Sequence, residues 1–80
     1  MRHDIVDGYG NIVGCYEGNT IMTTYGSPVG SYDPTDKIIL DNYRNIVGYY
    51  DYYGNVVDRN RNIVCSYDGN PVIAAAKLLL

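Results

Sequence analysis

Apolar and polar positions alternate in short runs along this chain, and the runs come in pairs. Two adjacent branched apolar residues precede a polar turn, and a second apolar pair follows it and ends in tyrosine and an acidic residue. Residues 5–17 show the whole pattern, and residues 39–51 repeat it closely. Short runs rich in Ile, Val and Tyr, bounded by Gly, Asn and Asp, are typical of β-strands. The pattern therefore predicts an array of β-hairpins.

The hairpin pattern recurs along the whole chain. Units start near residues 5, 21, 39 and 56, with a partial fifth start at 72, so the spacings are 16, 18, 17 and 16 residues. The length variation falls in one turn of each unit, as meandering hairpins permit. We expect residues 1–80 to form a single all-β domain. Its fold would be an antiparallel meander of about eight short strands, built from four hairpin repeats of about 17 residues each.

Most of the turns share one chemistry, Asp-x-x-Gly-Asn. The aspartate can accept backbone hydrogen bonds at the start of a turn, and the glycine can take the left-handed conformation that closes a short hairpin loop. We therefore expect positive φ at the glycine position of several turns. The residues at that position are Gly10, Gly26 and Gly54, and, in place of glycine, Asp36, Arg44 and Arg61.

Side-chain alternation predicts which strand face is buried. In residues 45–51, Ile46, Gly48 and Tyr50 share one face, while Val47 and Tyr49 share the other. We expect the Ile/Gly/Tyr face to be the inner one, because glycine leaves a slot that a neighbouring aromatic ring can cover. The equivalent inner sets are Ile12, Gly14 and Tyr16; Pro28, Gly30 and Tyr32; and Ile63, Cys65 and Tyr67.

The C-terminal segment, residues 72–80, differs from the repeats. Its Ala- and Leu-rich end, residues 74–80, has helix-forming composition and no turn residues, but it is too short to be a stable helix alone. We expect a short helix or irregular cap, with a final strand continuing from Val72 and Ile73 as the alternative. A flat single sheet would leave both faces wet, so the sheet must curl or a second chain must cover it. A homodimer or a partner protein is therefore expected.

Charge and hydropathy exclude some partners. The formal charge is −3 and the six Lys and Arg residues are scattered, which disfavours nucleic acid and anionic membrane surfaces. No apolar run approaches the ~20 residues of a membrane span. The N-terminal residues lack the apolar stretch of a signal peptide, so a cytoplasmic location is expected unless the chain is a fragment of a surface protein.

Candidate chemistry is sparse. The single histidine, His3, lies near the N-terminus and is expected to be a solvated tail residue. Cys15 and Cys65 lie in equivalent strands and are interpreted as small buried or half-buried thiols. The alternatives are a disulfide between units and, although there is no C-x-x-C motif, reactive or metal-binding thiols. The loops at 7–11 and 58–62 resemble calcium loops but lack the closing Glu, so their Asp residues are interpreted as turn caps. No catalytic residue, cofactor or metal site is predicted.

The ten tyrosines are the most function-like feature of the sequence. A regular tyrosine column usually packs a sheet through cross-strand pairs. The alternative is a surface on which a sugar, a peptide or a partner protein stacks, centred on Tyr49, Tyr52 and Tyr53.

Residues 50–57, Tyr-Asp-Tyr-Tyr-Gly-Asn-Val-Val, resemble the YD-type hairpin repeat of large bacterial surface and toxin-delivery proteins. The aromatic-Asp-x-x-Gly turns are also similar to those of bacterial cell-wall-binding repeats. Both resemblances imply a bacterial, repetitive and non-enzymatic protein. We therefore expect a β-repeat protein that acts by protein–protein interaction or self-assembly. The alternative is a cell-surface or carbohydrate-binding module that uses exposed tyrosines.

Overall fold

In the computed structural model, which describes all 80 residues, the chain forms one eight-stranded antiparallel sheet and one helix. Each strand pairs with the next strand in sequence, which confirms the predicted meander. The strands are β1 (His3–Val6), β2 (Ile12–Glu17), β3 (Thr20–Met22), β4 (Pro28–Asp33), β5 (Ile38–Asp41), β6 (Ile46–Tyr50), β7 (Asn55–Asp58) and β8 (Ile63–Ser66), and the helix is α1 (Pro71–Leu79).

Aspartates cap the turns as the sequence predicts. In the first loop, one Asp7 carboxylate oxygen accepts the backbone N–H groups of Tyr9 at 2.8 Å and Asn11 at 2.9 Å. The loops that begin at Asp41, Asp51 and Asp58 repeat this arrangement. A shared loop geometry follows from the shared Asp-x-x-x-Asn sequence.

Positive φ occurs at the expected position in five turns. The φ angles are 84° at Gly10, 83° at Gly26, 87° at Gly54, 70° at Arg44 and 71° at Arg61.

The turn after β4 departs from the expectation, because the left-handed residue is Lys37, with φ 56°, and not Asp36. The Asp33 carboxylate in this longer turn accepts the N–H groups of both Thr35 and Asp36. Asp36 therefore belongs to the capped turn, and the left-handed residue that closes the loop comes one position later.

A β-bulge interrupts each hairpin and changes which side chains face inward. Pairing passes from Ile5–Gly14 to Val6–Ile12, so Val13 has no partner in β1. Because a bulge adds one residue to one strand, the simple alternation of faces fails across it. The equivalent bulge residues are Val29, Val47 and Val64.

The predicted inner face is therefore correct for glycine and tyrosine and wrong for isoleucine and for Pro28, which is exposed. Ile12 is 55% exposed and Ile63 is 66% exposed, because each precedes its bulge and turns outward. Val29 and Val47, by contrast, pack against the buried core. The largest fully buried side chains come from the strands opposite the bulges: Ile21, Ile39 and Val56.

Helix α1 begins at Pro71, earlier than the sequence pattern suggests. The Asn70 side chain accepts the N–H of Val72 at 3.0 Å, and proline is well tolerated in the first turn of a helix. Pro71 occupies the position that Thr20 holds in the first unit, where Thr20 pairs with Glu17 across a tight turn. Since proline has no N–H with which to close such a turn, Val72 and Ile73 enter a helix and not a fifth hairpin.

The sheet curls around this helix. Three consecutive alanines, Ala74, Ala75 and Ala76, are all buried although successive helical residues lie about 100° apart around the axis. Burial over so wide an arc requires β-strands on more than one side. The next contacts agree: Leu78 lies over Gly48, Leu79 over Gly30 and Leu80 over Gly14, which are equivalent glycines of the third, second and first units.

The hairpin units are therefore arranged around the helix, and each of the three successive leucines at its C-terminal end contacts a different unit. The molecule has two nearly equal long extents and a short one, 31 × 29 × 18 Å. The tyrosines at the ends of the longer strands, here called the strand-closing tyrosines, pack in or against the core: Tyr16, Tyr32, Tyr50 and Tyr67. The Tyr50 ring meets Tyr32 and Tyr67 edge to face, with centroids 6.5 and 5.9 Å apart. This packing role confirms the interpretation of the tyrosine column as core.

Candidate binding cleft

The curled sheet does not close, because β1 and β8 are its two edges. Tyr67 donates its N–H to the Gly54 carbonyl at 2.9 Å, so its backbone faces β7. Backbone groups of successive strand residues point to opposite sides, so those of Ser66 point away from the sheet. Asp7 likewise donates to Asn11 at 2.9 Å, and the preceding Val6 therefore points its backbone groups outward.

A cleft of about 570 Å³ lies between these two edges. Residues 6–8 line one side and residues 66–68 line the other. Ile73 and Lys77 of α1 complete the lining. These two residues are four apart and so share one side of the helix, the side that the sheet leaves uncovered.

Neighbouring hairpin units meet at junctions between β2 and β3, between β4 and β5, and between β6 and β7. The cleft is the fourth junction, between β8 and β1, and its strands are not paired. At the other three junctions, a strand-closing tyrosine faces a branched apolar residue of the next strand: Tyr16–Ile21, Tyr32–Ile39 and Tyr50–Val56. The same register at the open junction would place Tyr67 opposite Ile5 and Ser66 opposite Val6. Ser66 and Val6 do line opposite sides of the cleft.

The leucine–glycine contacts also stop at this junction. Continuing the series by one helical residue, Lys77 and not a leucine would face the fourth unit. The fourth unit in turn carries Cys65 where the other three have glycine. Lys77 makes no ion pair, since the protein's one ion pair joins the N-terminal ammonium to Glu17 at 3.3 Å. The open junction therefore has a free cation on its helical side.

The carboxylate of Asp7 at the edge of the cleft is already engaged. The backbone N–H groups of Asn11 and Tyr9 stabilise its charged form and lower the pKa of Asp7 below 3.8. The second carboxylate of the lining, Asp68, accepts the Asn70 N–H at 3.0 Å. The cleft therefore offers backbone donors and acceptors, apolar side chains, these two carboxylates and one ammonium without an ion pair.

The three tyrosines predicted as a binding cluster have different surroundings. Tyr49 is half-buried in β6, with the Arg61 guanidinium 4.4 Å from its ring centroid. Tyr52 and Tyr53 lie in the next turn and are 86% and 91% exposed. The Lys37 ammonium lies 4.0 Å from the Tyr52 ring centroid. Tyr53 has the most accessible ring of the three.

Three further tyrosines lie at the tips of hairpins. Tyr9, Tyr25 and Tyr43 occupy the same position in three equivalent loops and are 94%, 93% and 84% exposed. Their rings contribute nothing to the core and are available to a ligand.

The remaining candidate residues have structural roles. His3 is exposed, as predicted, but it does not lie in a tail, because it belongs to β1 and stacks on Tyr16 with ring centroids 5.1 Å apart. Cys15 and Cys65 are free, and the buried Cys15 thiol donates to the Thr23 carbonyl at 3.2 Å. No group of three His, Cys, Asp or Glu residues is placed to hold a metal ion.

Comparison with known proteins places no constraint on the cleft. No known protein family, curated protein or solved structure matches this chain. The protein has no helix long and apolar enough to cross a membrane.

The cleft residues Val6, Ser66, Ile73 and Lys77 were not predicted from the sequence. Two departures from the repeat pattern mark the fourth unit, where the cleft lies: Cys65 replaces the glycine of the other units, and proline occupies residue 71.

Proposed function

We propose that this protein acts by binding polypeptide, from a partner protein or from a second copy, and that it catalyses no reaction. The observation that supports this proposal is the pair of unpaired strand edges, β1 and β8, on either side of one cleft. Unpaired edge strands are templates for another strand, and strand addition is a recurrent mode of protein recognition.

The composition of the β8 edge favours such pairing. Ile63 and Val64 are 66% and 49% exposed, and the strand contains no proline, lysine or inward-pointing charge. Proteins that avoid edge pairing usually carry those protective features. An edge without them is suited to contact with another chain.

Self-association is one form of the proposed function. Because the sheet has an even number of strands, β1 of a second copy would continue the antiparallel order beyond β8. A second contact of the same kind, from β8 of that copy to the free β1, would close a dimer. The inner face of the sheet is already covered by α1, so face-to-face packing of two sheets is not needed for stability. A homodimer would therefore depend on the edges.

Sedimentation velocity over micromolar to millimolar concentrations tests this form. Ser66→Pro removes an outward N–H from β8, whereas Ser66→Ala keeps it. If the protein self-associates through its edges, Ser66→Pro abolishes the dimer and Ser66→Ala retains it. A monomer at every concentration would rule out self-association and leave recognition of a partner protein.

A carbohydrate-binding or cell-surface module is the second candidate, favoured by the exposed rings at the hairpin tips. Aromatic side chains with one apolar and one polar end are suited to stack on sugars. Affinity electrophoresis in gels containing neutral polysaccharides would test it. We expect retarded migration that Tyr9→Ala/Tyr25→Ala/Tyr43→Ala reduces. If that triple variant migrates like wild type while Tyr52→Ala/Tyr53→Ala does not, the binding rings belong to the other cluster.

A further inference from the structure

We infer that the cleft between β1 and β8 binds one extended peptide segment as a ninth strand, antiparallel to β8, and that this segment carries two consecutive aliphatic residues. The inference rests on the proposed function and names the chemistry of the partner.

The backbone of β8 can make the required hydrogen bonds. Since Tyr67 donates toward β7, the N–H and C=O of Ser66 face the cleft and are free. In an antiparallel pair, such outward residues exchange two hydrogen bonds with the residue opposite. Val6 presents free backbone groups from the other side of the cleft, so the inserted segment would be held between two edges.

The side-chain preference follows from the three junctions that are already paired. The strands that follow the strand-closing tyrosines contain Ile21-Met22, Ile39-Leu40 and Val56-Val57. In each pair the first side chain faces a tyrosine and is 0% exposed.

At the open junction no strand follows β8, and Tyr67 and the apolar Ile73 both line the cleft. If the first aliphatic residue of a bound peptide lies opposite Tyr67, its side chain would be buried as that of Ile21 is buried opposite Tyr16. The second aliphatic residue would point to the opposite face, as Met22 does.

The protein's own chain cannot supply this strand. Val72 and Ile73 stand at the start of a fifth unit by sequence spacing, but Pro71 and the Asn70 cap place them in α1. The strand that the repeat pattern would place beside β8 therefore forms part of α1, and the edge of β8 at the cleft stays available to another strand.

A single extended segment fits the cleft better than a folded second copy. Both walls belong to the same chain, and the edge strand of a second copy would bring its own sheet and helix with it. An isolated peptide brings only its own backbone and side chains. We therefore assign the site to a flexible segment or tail of another protein.

A peptide titration tests the inference. The probe is the sequence of residues 19–24 of this chain, Asn-Thr-Ile-Met-Thr-Thr, with blocked ends, and its control has Asp in place of both Ile and Met. Each is added to isotope-labelled protein while amide resonances are recorded. We expect the probe to shift the resonances of Val6, Ser66 and Lys77, and the control peptide to have no effect.

Protein variants separate strand addition from non-specific contact. Ser66→Pro removes one backbone donor and should weaken binding about tenfold, the equivalent of about 1.4 kcal/mol, whereas Ser66→Ala should bind like wild type. If Ser66→Pro does not fold, a probe with an N-methyl group on the residue opposite Ser66 should show the same loss.

Equal binding of the probe and its Asp control, or full binding by Ser66→Pro, would overturn the inference. Absence of binding up to millimolar probe would overturn it too. In that case an edge-dependent dimer in sedimentation would still support the broader proposed function, whereas a monomer would count against both.

Discussion

The Cδ1 atom of Leu79 lies 2.7 Å from the point that a β-carbon would occupy on Gly30. The carbonyl oxygen of Leu40 approaches the same point even more closely. Glycine is therefore required at residue 30 for two reasons, since one neighbour is a side chain of the helix and the other is the rigid backbone of β5. The contact couples the helix to the second hairpin unit.

Gly30→Ala should destabilise the fold. The added methyl group must displace both the Leu79 side chain and the backbone of β5, and overpacking of this kind typically costs about 1–3 kcal/mol. Urea denaturation followed by circular dichroism measures the loss. Gly8→Ala is the matched control, because no atom lies within 4 Å of its added methyl group and it should change stability little.

Shortening Leu79 should rescue Gly30→Ala only in part. Leu79→Ala relieves the side-chain clash but leaves the carbonyl oxygen of Leu40 in place. Full rescue in the double variant would show that the backbone contact is unimportant.

Asn70→Ala should weaken the start of the helix. The Asn70 side chain accepts the Val72 N–H at 3.0 Å, and loss of such a cap typically costs about 1 kcal/mol. Asn70→Ser keeps an acceptor and should retain most of the stability, while Asn60→Ala, in an exposed loop, serves as the control. The urea denaturation midpoints of the three variants are compared with that of wild type. Equal midpoints for Asn70→Ala and Asn60→Ala would contradict the capping role.

Tyr50→Phe should be neutral or stabilising near pH 7. The Tyr50 hydroxyl is buried without a hydrogen-bond partner, a state that costs roughly 1–3 kcal/mol, and phenylalanine removes it. The edge-to-face contacts with Tyr32 and Tyr67 do not need the hydroxyl. A clear loss of stability at neutral pH would mean that the hydroxyl finds a partner in solution.

Ionisation of Tyr50 should contribute to the unfolding of the protein at alkaline pH. Burial raises the pKa of Tyr50 from 10.0 to about 12, with Tyr32 and Tyr67 nearby adding to the effect. The folded state thus favours the neutral phenol, so its contribution is complete below pH 10.0 and is lost as pH rises toward 12. Denaturation at increasing pH should show a steeper loss for wild type than for Tyr50→Phe.

The Asp41 turn cap should lose its contribution in acid. The N–H groups of Asn45 and Tyr43 lower the pKa of Asp41 below 3.8, so its stabilising effect is present above that pH and is lost as pH falls. Asp41→Ala should therefore be less stable than wild type near neutral pH and differ less at about pH 2. The backbone N–H of Asp36 donates to the Asp33 carboxylate, a bond that alanine retains, so Asp36→Ala is the control and should change stability little near neutral pH.

The turns and the strand order could be predicted from the sequence because they depend on residues close together in the chain. The Asp7 carboxylate binds N–H groups only two and four residues away, so the motif alone specifies the loop. The repeat then sets the order of strands, since short loops pair each strand with the next. The face of Ile12 could not be predicted, because a bulge at Val13 breaks the alternation.

The sequence by itself therefore determined four hairpins, their turns and the tyrosines that pack between them. The tertiary structure decided the rest. It placed α1 inside the curled sheet, where Leu79 meets Gly30 some fifty positions earlier in the chain, and it left the junction between β8 and β1 open over Lys77. These features depend on contacts between distant residues, and local turn chemistry carries no information about them.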